Sequence, residues 1–188
     1  MNIQIIFVIL SSIIGIACFI PYIRDIFKHT TEPHPYSWLI WTILQSTAVV
    51  AMISGGAGLG VASLAIGAVL CGTIFLLSLR YGTANIKPFD IICLIGALIA
   101  IAIYLFLQNA LLSVIIVSLT DFIAFLPTFR KAYEEPASET ASTFALSSAS
   151  NVLALFALSS FTLTTSLYLI SLIITNATCA FIILIRRK

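Results

Sequence analysis

Apolar residues run along this chain in long blocks, each closed by a short polar or turn-forming break. Seven blocks stand out, over residues 3–23, 37–54, 57–79, 89–107, 109–129, 142–160 and 163–185. The breaks read HTTEPHP, SGGAG, RYGTANIKP, LQN, RKAYEEPASE and SSFTLTT, which carry turn residues or charge. A bilayer core needs about 20 apolar residues in a helix, so the pattern predicts seven transmembrane helices, spans 1 to 7. Residues 89–128 form one apolar run of about 40 residues, too long for a single crossing, and the division is placed near Gln108.

Composition strengthens this reading. Of the 188 residues, 61% are hydrophobic and 9% are charged, whereas soluble domains carry about 25% charged residues. The prediction is an all-α polytopic membrane protein with almost no length left for a soluble domain. Span 1 lacks the basic leader of a signal peptide, so it is expected to stay as a transmembrane helix. Cys18, Cys71, Cys93 and Cys179 are scattered singly, with no metal or redox spacing, and are expected to pack as small apolar side chains. SGGAGLG (54–60) lacks the GK[ST] ending of a phosphate loop and reads as a tight turn with a small-residue packing surface. No HExxH, GxSxG or paired intramembrane acid is present, so neither an enzyme nor a cofactor or metal site is expected.

Charge placement orients the chain. Arg24 and Lys28 follow span 1, Arg80 and Lys87 follow span 3, Arg130 and Lys131 follow span 5, and Arg186, Arg187 and Lys188 follow span 7. All nine basic residues thus fall on one side. Lys and Arg in short loops mark the cytoplasm, which predicts the N-terminus outside and the C-terminus inside.

A phrase also repeats. FIPYIRDIFK (19–28) and FLPTFRKAYE (125–134) share Phe, Pro and Arg at a separation of 106 residues. At the same offset Ser12 meets Ser118, Phe75 meets Phe181, and spans 1–2–3 overlay spans 5–6–7. Two parallel three-helix units are predicted, residues 1–86 and 109–188, joined by a linker transmembrane helix within 87–108. An odd linker is required if both units are to start outside, and a pathway is expected at their interface. This three-plus-one-plus-three plan, with Pro near the cytoplasmic end of spans 1 and 5, resembles the PQ-loop superfamily and especially SWEET and SemiSWEET sugar transporters. The family's Pro-Gln dipeptide stands here as Pro21-Tyr22 and Pro127-Thr128. The resemblance implies that Pro21 and Pro127 are hinges of an inner gate; the plain reading is helix termination.

Several polar residues fall inside the spans. Asp121 lies nine residues before Arg130, about 13 Å along a helix at 1.5 Å per residue, near the midplane. An acid there marks an ion or proton pathway by default and is expected to couple protons; the alternative is a protonated acid bonded to a neighbouring helix. Its repeat mate is Gly15. Trp38, Trp41 and Gln45 share one face of span 2, and Phe144, Ser147 and Asn151 are their mates in span 6. Gln45 and Asn151 either hold a polar ligand or join the units by a hydrogen bond. Trp41 opposite Ser147 resembles the substrate-site asymmetry of SWEET proteins, where a Trp stacks on the solute. Asn176 in span 7 matches a family asparagine, but its mate in span 3 is Leu70. Arg24 and Arg130 are expected to set topology by snorkelling rather than to latch a gate. Asp90 is expected to favour the start of span 4 through the helix dipole. His29 and His34 are expected to decorate a loop.

The expected function is a small-solute transporter, a uniporter or proton-coupled carrier, alternating access around a midplane cavity. Trp41, Gln45, Ser147, Asn151 and Asn176 would bind substrate there beside Asp121. A ligand-sensing receptor or scaffold is the alternative. The expected partners are a small polar solute, protons and the lipid bilayer of a bacterial-type inner membrane, with no nucleic acid and with homo-oligomers allowed.

Overall fold

A computed structural model describes residues 3–107 and 109–187, so the break placed at Gln108 and the tail residue Lys188 lie outside the described residues, as does the Cys93 side chain. Helices occupy all seven apolar blocks. They are α1 (Ile3–Ala17) with α2 (Phe19–Phe27), α3 (Pro35–Ser54), α4 (Ala62–Tyr81), α5 (Pro88–Leu107), α6 (Ala110–Glu134), α7 (Ala141–Ala157) and α8 (Leu163–Arg186). No strand occurs among the described residues. Among the described residues, five stretches have the length and hydropathy to cross a bilayer: Ile3–Phe27, Pro35–Ser54, Gly58–Tyr81, Ala110–Glu134 and Leu163–Arg186. Helix α7, at 17 residues, is shorter.

Local chemistry explains the boundaries. Pro35 and Pro88 open α3 and α5, where a missing N–H costs nothing. Asn109 caps α6 by accepting from the Leu112 N–H, and Thr162 and Thr165 form a reciprocal capping box on α8. Helix α6 runs past the predicted end at 129 because its last turn is held by side-chain contacts described below.

The packing follows one rule twice. Helix α4 lies between α1 and α3, and α8 lies between α6 and α7, while no contact joins α1 to α3 or α6 to α7 among the described residues. The two sets meet where α1 packs on α7 and α3 packs on α6, closing a ring in the order α1, α4, α3, α6, α8, α7. Helix α5 stands outside this ring, against α6 and the flank of α3. Small residues allow close approach: a Cβ on Gly15 would meet Ser150 Oγ at 3.2 Å, and one on Gly60 would meet the Ala157 carbonyl oxygen at 3.0 Å. The outward faces are apolar, with Ile13, Val50, Val69, Leu76, Leu119, Ile174 and Phe181 exposed on five helices. That surface suits an integral membrane protein.

Pro21 and Pro127 behave differently. A proline clashes with the carbonyl four residues back. For Pro21 that residue is Ala17, and there a single residue, Cys18, separates α1 from α2 while keeping helical angles and its bond to the Ile14 carbonyl. Around Pro127, α6 continues without a break. Here α3 braces it: Ser37 Oγ donates to the Ala124 carbonyl at 3.1 Å, and Thr128 Oγ1 donates to Ser37 Oγ at 3.1 Å.

Candidate functional site

A cavity lies at the centre of the ring. Trp41, Gln45, Ser147, Asn151 and Asn176 all line it, and Gly15, the repeat mate of Asp121, lines it too. Asp121 does not. About 60 Å³ of the cavity is open to occupants of water size, enough for a few waters at roughly 10–15 Å³ each on this measure. Its floor is aromatic, with the rings of Trp38 and Trp41 at 5.0 Å and those of Trp41 and Phe125 at 4.5 Å between centroids.

Most donors in the cavity are spent inside the protein. Gln45 Nε2 donates to Cys71 Sγ at 3.1 Å, Asn151 Nδ2 to the Ser147 carbonyl at 2.8 Å, and Asn176 Nδ2 to the Leu172 carbonyl at 2.8 Å. Ser147 Oγ donates to Cys18 Sγ at 3.3 Å and Ser150 Oγ to the Ser11 carbonyl at 2.8 Å. Gln45 and Asn151 therefore do not bond to each other across the interface. Trp41 Nε1 and Thr143 Oγ1 are buried without a partner.

Asp121 is fully buried. Tyr168 Oη of α8 lies 3.4 Å from its Oδ1, and Oδ2 has no partner.

Beneath the floor, the end carrying the basic residues is sealed by polar chemistry. Trp38 Nε1 donates to Tyr22 Oη at 3.2 Å, and Tyr22 Oη donates to Glu139 Oε2 at 3.1 Å. Lys131 Nζ reaches Glu139 Oε1 at 2.9 Å and also donates to the carbonyls of Glu32 and Ser138. Both charged side chains are almost wholly buried, 0% and 1% exposed. Beside them Thr140 donates to Asp25 at 3.0 Å and lies 2.6 Å from Thr31. The loop after α2 and the loop after α6 are thus stitched together.

A second cluster ties in α5. Asp90 Oδ2 accepts from Arg130 Nη2 at 2.7 Å, the Lys87 N–H at 2.8 Å and His34 Nε2, 3.2 Å away. Arg130 also pairs with Glu134 at 2.7 Å. These contacts correct the expectations for Arg130 and His34 and add to that for Asp90. Arg130 is not a free snorkelling cation, because a buried acid lies within its reach. Asp90 does stand at a helix start, yet its carboxylate also joins three elements. His34 is 1% exposed, and burial pushes its imidazole below the ordinary 6.5, outweighing the opposing pull of Asp90. Arg24, the mate of Arg130, remains exposed and among the described residues pairs with its neighbour Asp25 alone.

Sequence reasoning missed Thr143, Lys131 and Glu139 as a group. Only the first carried a signal: Thr143 is the repeat mate of Ser37, and both are hydroxyl residues one turn into their helices. Comparison with family models, with characterised proteins and with solved structures returns no significant match for this chain.

Proposed function

We propose that this protein is a seven-span carrier for a small solute, with two parallel three-helix units, the N-terminus outside and the C-terminus inside. The observation that carries the reading is the central cavity, set where the two sets of helices meet and lined by repeat-related polar residues. Carriers built from parallel repeats bind at such an interface. The sealed basic end makes the state described here closed toward the cytoplasm. Opening it separates the Lys131–Glu139 and Arg130–Asp90 contacts, while Pro21 and Pro127 allow the first helix of each unit to bend. Asp121 takes the proton step, since a midmembrane acid with an unpartnered oxygen suits that role.

Gln45→Cys and Asn151→Cys, introduced separately and labelled in sealed vesicles with a membrane-impermeant thiol reagent, test this. Each site is expected to react from both sides. Reaction from one side alone replaces the carrier with a ligand-sensing receptor of the same architecture. In the same vesicles, solute-driven pH change is expected to vanish in Asp121→Asn; unchanged proton movement assigns Asp121 to packing.

A further inference from the structure

The cavity's own inventory of polar groups narrows what it accepts. No Asp, Glu, Lys, Arg or His lines it among the described residues. A charged solute would enter without a counter-charge, which is costly in a water-poor space. Among the described residues, Trp41 Nε1 and Thr143 Oγ1 are buried donors without a partner, and the Ser63 hydroxyl on the lining has none either. The freedom of Thr143 is specific to one wall, because its mate Ser37 is engaged with Ala124 and Thr128. On the acceptor side, no protein donor reaches the side-chain oxygens of Gln45, Asn151 or Asn176 among the described residues. Trp41 and Thr143 belong to the first two turns of α3 and α7, whereas Gln45 and Asn151 lie one to two turns deeper. The donors of Trp41 and Thr143 therefore sit toward the basic end and the amide oxygens of Gln45 and Asn151 toward the middle, while Ser63 opens α4 at the other end.

On the reading of this cavity as the binding site, we infer that its ligand is an uncharged, flat, single-ring solute. One edge presents an acceptor to Trp41 and Thr143. The other presents N–H or O–H donors to the three amide oxygens. The ring lies against the indole and phenyl faces of the floor, where stacking adds to burial. A hexose fits less well. Its five hydroxyls, each able to donate and to accept, want more partners than the free groups supply.

Both tryptophans of the chain, Trp38 and Trp41, line the cavity, so intrinsic fluorescence reports on it alone. Purified protein in detergent is titrated with uracil and its carboxylate orotate, benzamide and benzoate, and D-glucose. A neutral ring is expected to quench with saturation at or below about 1 mM. Its carboxylate is expected to bind at least about tenfold more weakly, the cost of an unpaired charge. Thr143→Val, which keeps the shape and removes the donor, is expected to weaken the neutral ring by about threefold to tenfold. Trp41→Phe, read through Trp38, is expected to do the same. The inference is overturned if the carboxylates bind as tightly as the neutral rings, if glucose binds and no ring does, if no ring quenches, or if Thr143→Val leaves affinity unchanged. Ring binding without flux in vesicles would retain this ligand class and remove the carrier reading.

Discussion

Individual side chains at the basic end carry consequences that their types alone do not announce. His34 is buried against Asp90 and held below 6.5. Between that lowered value and 6.5 the unfolded chain binds a proton that the folded chain does not. The stability His34 contributes is therefore full above pH 6.5 and is lost as pH falls through the folded value. Thermal unfolding of wild type is expected to drop more steeply than that of His34→Gln from about pH 8 to about pH 5, the interval in which histidines change charge. Equal slopes would show that His34 does not carry the pH dependence. Little of this was legible beforehand. A histidine in HTTEPHP reads as loop decoration because burial there depends on α5 and α6, far away in sequence. The cavity residues were easier to see. Trp41, Gln45, Ser147 and Asn151 lie on one face of α3 or α7, and helical spacing alone puts them together. Whether an amide meets its mate or its own backbone depends on rotamers, which spacing does not specify.

Elements that share a sequence phrase do not share a conformation. Pro21 coincides with the interruption between α1 and α2, while Pro127 sits in an unbroken α6 braced by Ser37. A restored N–H matters where the ladder is interrupted. Pro21→Ala is expected to join α1 and α2 into one helix and to slow amide hydrogen exchange over residues 17–23, read in detergent. Pro127→Ala is expected to leave exchange over residues 123–129 within about a factor of two, since α6 is already continuous and an isolated change within a stable unit alters local opening little. Equal slowing in both would restore the two prolines as equivalent hinges. The existence of the helices was legible because each apolar block exceeds what a loop tolerates. Their ends were less so: α6 extends to Glu134 because Arg130 pairs with Asp90, Lys131 with Glu139 and Glu134 with Lys87, all outside α6, which no local pattern reveals.

At the scale of the whole molecule, the two halves share a packing order and differ in what they place in the cavity. Trp41 faces a space that Ser147 occupies on the other wall. Ser147→Trp is expected to overfill the cavity and destabilise the fold by about 1–3 kcal/mol. Trp41→Ser is expected to cost about 3–5 kcal/mol by emptying it. Exchanging the pair, Trp41→Ser with Ser147→Trp, is expected to recover much of both losses, as unfolding in detergent would register. Simple additivity of the two costs would mean that the walls do not share one space. The ring order itself was not legible, since a repeat of 106 residues shows that two units correspond and says nothing of which helix lies between the others. Helix α5 bears on all of this from outside the ring. A three-helix chain that paired with its own twin would have to use every residue twice, so a change that improved one wall would strike the other as well. Joined by α5, each wall inherits its own mutations. A tryptophan can be gained on one side while the opposite side stays small, and one hydroxyl can brace a helix while its counterpart is left free for a visitor.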